Sequence, residues 1–174
     1  MYRLSGLKIS DELLLVRLTE LPLGSGLLPT FCSKLAVNRI NMPFLSTEHS
    51  AGGVNVLCCV DAAHQSAVKS LIASEPQFAQ QAAFTQGVGL LTLYPHRSSL
   101  IFFERSFGAL NEKNMRIWGL ASSVGALTFI LDHNRLDEAA AILRARFELT
   151  ENHAPMRAEF VVTQGVRSRP DQPE

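Results

Sequence analysis

The sequence has no surplus of charge of either sign: 16 Lys and Arg balance 16 Asp and Glu, for a formal net charge of +0. Nucleic-acid binders draw most of their affinity from a cationic field, and no basic block here exceeds Arg167-Ser168-Arg169. Nucleic acid is therefore excluded as an expected partner, and so is a polybasic membrane anchor. Cysteine is scarce and badly spaced for metal: Cys32, Cys58 and Cys59 include no CxxC pair, and neighbours in a strand point to opposite faces. They read as reduced, buried thiols, which suits a cytoplasmic location. No window approaches the roughly 20 apolar residues of a membrane span, and Met1 to Gly6 carries no signal-peptide pattern. His49, His64, His96, His133 and His153 are scattered, with no pair at metal spacing. Neither a metal nor a cofactor is expected, and no Cys-His nucleophile is formed by thiols set in apolar patterns.

What is present is apolar: 47% of residues are hydrophobic and only 18% charged, enough for a real core and too much for a disordered chain. Glu12 to Leu18 reads as a buried strand, broken by Leu23-Gly24-Ser25-Gly26. Leu28, Phe31, Cys32, Leu35 and Ala36 then recur at helical spacing, with Pro29 in the first turn. Asn41 to Leu45 is extended, Ser50 to Gly53 turns, and Val54 to Val60 is an almost wholly apolar strand. Asp61 is placed to cap a helix over Ala67, Val68, Leu71 and Ile72, which Pro76 closes.

The order then repeats. Gly89 to Leu93 is a strand, Ser98 or Ser99 starts a helix with Phe103, Phe107 and Leu110, Met115 to Leu120 and Ala126 to Leu131 are extended, and Leu136 to Phe147 is helical. Phe84-Thr85-Gln86-Gly87 and Val162-Thr163-Gln164-Gly165 close the two copies, and Val60-Asp61 and Leu131-Asp132 mark the same junction. The repeat is a unit of about 70 to 80 residues, each copy reading β-α-β-β-α-β. Two right-handed crossovers of that kind give the α+β, ferredoxin-like sheet with both helices on one face. Its bare face or edge calls for a partner, which the second copy supplies by stacking sheets or by continuing one sheet.

Gly26-Leu27-Leu28-Pro29-Thr30-Phe31-Cys32 through Asn38-Arg39-Ile40-Asn41-Met42, followed by Cys59-Val60-Asp61, resembles the ACT domain, an amino-acid-sensing module. Phe107 to Leu110, Arg116 to Ser123 and Ile130 to Asp132 are similar to the paired ACT domains of aspartokinases, and Leu4 to Ile9 resembles the strand joining their catalytic and regulatory halves. No Lys-Phe-Gly-Gly-type phosphate loop accompanies them, so the resemblance is to the regulatory half without the kinase. It implies a module over residues 1–86 that includes the N-terminal strand, a second over 87–165, and a tail over 166–174.

The resemblance further implies a non-catalytic, amino-acid-binding regulatory protein, most simply a homodimer, with ligand at module or dimer interfaces. The alternative is a degenerate pair kept for oligomerisation or for binding a metabolic enzyme. The first effector site would use Gly24, Ser25, Gly26, Leu27 and Leu28, with Asn41, Met42 and Pro43 opposite. Glycines let backbone approach a carboxylate, and a helix start offers free N–H groups. Against that reading, Gly24-Ser25-Gly26 also serves as a tight turn, and Asn41 as a strand-start turn residue. The loop has no acid to meet a ligand's amine, which counts against lysine. In the second copy Arg97, Ser98, Ser99 and Arg116 are the candidates; no glycine occupies that loop, and its arginines equally suit a plain surface. Trp118, beside Arg116, reads as core or interface.

Overall fold

The structure is a computed structural model that describes residues 3–94 and 99–149. Its elements are β1 (Arg3–Leu4), β2 (Gly6–Ile9), β3 (Leu13–Leu21), α1 (Leu27–Val37), β4 (Phe44–Ser50), β5 (Gly53–Asp61), α2 (Gln65–Ala73), α3 (Pro76–Ala79), β6 (Ala82–Tyr94), α4 (Leu100–Glu112), β7 (Ile117–Ser122), β8 (Leu127–Asp132), α5 (Leu136–Arg146) and β9 (Glu148–Leu149). A 3-10 turn precedes both α2 and α5. The protein is α+β, with two ferredoxin-like units joined through one antiparallel sheet in the order β4-β5-β3-β6-β8-β7.

That order is symmetric about the β3–β6 boundary. Residues 82–88 of β6 pair with β3, while residues 88–93 pair with β8. β6 is therefore the last strand of one unit and the first of the next. The apolar run at Gly89 to Leu93 and the closing motif at Phe84 to Gly87, which look like separate pieces in sequence, are one strand. Gly87, at φ 67, accommodates the register shift between them. Across the middle, Asp61 pairs with Leu13, Leu13 with Val88, and Val88 with Asp132, so one row runs through both units.

The N-terminal strand sits elsewhere than expected. β2 pairs antiparallel with residues 91–94 of β6, placing Leu7 and Ile9 in the second unit's core. Ser10 bridges the break between β2 and β3: its N–H reaches the Leu90 carbonyl at 3.0 Å and its hydroxyl accepts from Leu90 N at 2.8 Å. Residues 6–21 and 82–94 thus form one long ribbon in which each strand closes one unit and opens the other. Val162 to Gly165, expected to close the second copy, lies outside the described residues.

Alternation along the strands sorts the core into layers. Leu14, Val16, Leu18, Val56 and Cys58 face α1 and α2, where Phe31, Leu35, Val68 and Ile72 meet them. Leu91, Leu93, Leu127, Phe129 and Leu131 face α4 and α5, with Phe102, Leu110, Leu136 and Leu143. The opposite, helix-free faces meet each other: Leu13, Leu15, Phe44 and Cys59 of the first unit pack with Val88, Leu90 and Ile130, and Trp118 of β7 lies against them. Both ways of covering a bare face are used, one continuous sheet and one face-to-face contact.

Smaller departures follow from local chemistry. α2 ends at Ala73, just ahead of Pro76, and Pro76 also takes the first position of the short helix α3, where a missing N–H costs nothing. The second extended segment begins at Phe44, later than Asn41, because Pro43 brings no ladder donor.

Candidate functional site

Leu21 ends β3, and Pro22 to Gly26 turns the chain into α1. Gly24 and Gly26 have φ of 70° and 69°, the left-handed region that glycine enters without a Cβ clash. Gly26 is the N-cap of α1 and offers no side chain to the helix. Ser25 Oγ accepts from Leu27 N at 3.4 Å, a long contact, and Pro29 has no N–H to offer. The helix start is therefore open toward solvent at Leu27 and Leu28, with the positive end of the helix dipole behind it. Leu27 itself is buried and Leu28 half-buried, so their backbones are the groups available.

Asn41, Met42 and Pro43 are not beside this loop. β4 starts at Phe44 opposite Cys59, whose other neighbour is Leu15, and ends at Ser50 opposite Gly53, near Leu21. The loop and the Asn41 segment therefore stand at opposite ends of the sheet, about 20 Å apart along β4. A single unit cannot bring both to one small ligand; only a loop and a strand start from different modules can meet.

In the second unit, Arg97 and Ser98 lie outside the described residues. Ser99 caps α4, accepting from Phe102 N at 3.4 Å. Arg116 is at the other end of its unit, exposed, with its guanidinium carbon 5.0 Å from the Trp118 ring centroid. The arrangement around Trp118 was only partly visible in sequence. Arg17 of β3 has its guanidinium carbon 5.5 Å from the Trp118 ring centroid and donates to the Trp118 carbonyl and to Thr85 Oγ1, both at 3.2 Å. The indole N–H donates to Asp132 at 2.7 Å. This cluster joins the two units, and Arg17 carried no signal beyond being a cation inside an apolar strand.

One cavity adjoins the first loop. It holds about 210 Å³ and is lined by Ser25 and Leu27 on one side and by Gln77, Gln80 and Gln81 on the other. The wall that carries the glutamines is braced against α1. Phe78 stacks edge-on with Phe31 at 5.9 Å, and Lys34 Nζ pairs with Glu75 at 2.6 Å. Gln81 Nε2 donates to the Glu20 carbonyl at 3.2 Å, and its Oε1 is buried without a hydrogen-bond partner.

Other candidate chemistry is weak. Burial pushes the Cys58 and Cys59 thiols up to about 12, so neither is a nucleophile near neutrality. Cys32 is half-buried on α1. Among the described residues, no group of three His, Cys, Asp or Glu side chains is placed to hold a metal ion, and no helix is long and apolar enough to cross a membrane.

The class of protein this defines is a pair of ferredoxin-like modules built on a shared strand, and solved structures place that pairing. The regulatory subunit of aspartate kinase from Thermus thermophilus, in its ligand-free form, matches with a TM-score of 0.68 at 17% identity, covering 83% of this chain and 99% of that one. The same subunit from Thermus flavus matches at 0.70 with 16% identity, over 83% and 99%. Escherichia coli aspartokinase III, solved with lysine and aspartate, matches at 0.59 with 18% identity, over 81% of this chain and 32% of the enzyme. No family model matches the sequence, and no curated protein does. The chain has the fold of an aspartate kinase regulatory subunit.

Proposed function

We propose that this protein is a non-catalytic regulatory module that binds an amino acid at a module or dimer interface and works as a homodimer. The observation that carries the reading is the match over nearly the full length of subunits whose named role is regulatory, with the loop between the first strand and helix open in the way an anionic group requires. The separation of Gly24–Leu28 from Asn41–Pro43 supports an interface site, because a second module must supply the missing half. The outer edges of β4 and β7 have no partner strand among the described residues, which supports association between chains. Binding across such an interface shifts how modules pair, and that shift is the signal.

A thermal-shift screen of the full chain against the proteinogenic amino acids tests this. A binder at about 100 times its Kd stabilises the protein by about 2.7 kcal/mol. A flat response to every amino acid at millimolar concentration, from a protein that sediments as a dimer, would replace this reading with that of an oligomerisation module.

A further inference from the structure

Among the described residues, three other than glycine hold a positive φ: Glu20 at 55°, Arg39 at 56° and Asn114 at 49°. Arg39 and Asn114 are accounted for by their helices. Each directly follows a C-cap, Asn38 of α1 or Lys113 of α4, and the next N–H bonds back into the last turn, Ile40 to the Leu35 carbonyl at 2.9 Å and Met115 to the Leu110 carbonyl at 3.0 Å. Glu20 has no helix to end. It lies in a bulge of β3, where the three steps from Leu18 to Leu21 face the two from Val56 to Val54 on β5. A left-handed glutamate in a strand is strained, and such strain persists only where neighbours hold it.

Neighbours hold Glu20 on two sides. Its N–H donates to a side-chain oxygen, Asn55 Oδ1, at 3.0 Å, and its carbonyl accepts from Gln81 Nε2 at 3.2 Å. Thr19, beside it, donates its N–H to the Gln81 carbonyl at 3.0 Å. The tip of the β4–β5 hairpin presses on the same stretch. A Cβ on Gly53 would stand 2.3 Å from the Leu21 carbonyl oxygen, and one on Gly52 would stand 3.0 Å from the Glu20 carboxyl carbon. Asn55 therefore ties the bulge to the hairpin, and Gln81 ties it to the link between α3 and β6. The hold on the Gln81 side is weak, because Oε1 of the same amide is buried without a hydrogen-bond partner. Directly after Leu21, the chain leaves β3 for the loop Pro22 to Gly26.

We infer that Glu20 is a strained latch that couples the loop Pro22 to Gly26 to the tip of the β4–β5 hairpin. Released from Asn55, the Glu20 backbone relaxes toward an extended φ, and the kink that the extra residue puts into β3 is lost. That re-aims the chain entering the loop and, with it, the Gly52–Gly53 turn packed on Glu20 and Leu21. One two-state element is thus biased from both segments, which is what coupling between them requires. The consequence reaches the sheet edge. The hairpin's outer strand is β4, which has no second partner strand among the described residues, so a change at the glycine loop is felt where another chain would pair. The latch does not require that the loop bind an amino acid; where it does, the latch is the route from the bound loop to the edge.

Two measurements on the full chain test this. Glu20→Gly and Glu20→Ala both remove the carboxylate, so the difference between them reports the backbone alone. The glycine variant should have the higher urea midpoint; a higher midpoint for the alanine variant would show that Glu20 stores no strain, and the latch would fall. Relaxation dispersion of the glycine amides then reads the coupling in Asn55→Ala, with Gln81→Ala as the second variant should the first not fold. Expected is new microsecond-to-millisecond exchange at Gly24, Gly26, Gly52 and Gly53 with one shared rate, and a return to the wild-type profile in Asn55→Asp, which keeps an acceptor oxygen. Exchange confined to the hairpin glycines, unequal rates in loop and hairpin, no new exchange, or no rescue by Asn55→Asp overturns the coupling and leaves Glu20 a local feature of β3. None of these readouts uses a ligand, so the amino-acid reading stands or falls separately.

Discussion

Asp61 and Asp132 stand at the same point of the two units, each at the end of a central strand and before a 3-10 turn. Asp61 serves its own turn, accepting from Ala63 N at 2.8 Å. Asp132 makes no such cap; it takes the indole N–H of Trp118. One copy of the repeat keeps the aspartate for local structure, and the other spends it on the contact between units. The same divergence runs through the end that carries the Gly24–Gly26 loop. The first unit has glycines at its loop and α3 with its glutamines facing that loop, whereas the second runs from β8 through α5 directly to β9. A duplicated unit has kept its core pattern in both copies, while the residues outside the core have separated into an open glycine-loop side and a coupling side.

The sharpest break of this comparison is in the cores. Phe31 of the first unit and Phe129 of the second are both fully buried. Either one changed to Ala should lose about 3–5 kcal/mol. Because β6 belongs to both units, each variant should shift a single urea transition, read alike by circular dichroism and by the fluorescence of the one tryptophan. Two separated transitions would show that the units fold independently despite the shared strand.

Much of this plan was legible in the residues. Period-two and period-three-to-four apolar spacing depends only on which face is buried, so the strands at β3, β5 and β8 and helices α1, α4 and α5 stand out locally. Asp61 and Ser99 announced their caps for the same reason. What could not be read depends on distant partners. Leu4 to Ile9 looks the same whether it pairs with the first unit or the second, and only the register Gly6 to Tyr94 decides. A strand that continues through Gly87 differs from two strands by one left-handed residue. Gln77, Gln80 and Gln81 carry no periodic signal, and their meeting with Ser25 requires α3 to fold back onto α1. The placing of Asn41 and Gly26 at opposite ends of one sheet follows from β4–β5 pairing, which local sequence does not encode.

The coupling side breaks next. Arg17→Met keeps the aliphatic stem and removes two hydrogen bonds and the contact with the Trp118 ring, so about 2 kcal/mol should be lost. Trp118 emission should move to longer wavelength as water reaches the indole. A first-unit substitution that alters the fluorescence of a second-unit residue is the expected signature of the joint; unchanged emission would mean the helix-free faces hold together without Arg17.

Cys58 and Cys59 lie on opposite faces of β5, one under the helices and one at the joint, and both hold their protons more tightly folded than unfolded. The folded pKa is raised, so their contribution is intact below about 9, the unfolded value, and is lost as pH rises toward about 12. Over that window stability should fall by about 1.4 kcal/mol per pH unit for each thiol. A Cys59→Ser variant should flatten the slope by about half in urea titrations between pH 9 and 11. An unchanged slope would assign the alkaline loss to other groups.

The two aspartates give the smallest and most discriminating difference. Asp61→Ala removes a cap and should cost about 1 kcal/mol, with Trp118 emission unaltered, because its carboxylate bonds Ala63 N of its own turn and not the indole. Asp132→Ala should cost a comparable amount through the orphaned indole N–H, about 1 kcal/mol at a half-buried site, and should change that emission. Asp132→Asn retains an acceptor oxygen at the same place, so both stability and emission should return most of the way toward wild type. The pattern that matters is the crossing: similar stability losses from the pair, opposite spectroscopic outcomes. Equal spectra from the two alanine variants would mean that Asp132 is, like Asp61, only a local residue, and that the joint between the units is carried by packing and by Arg17 alone.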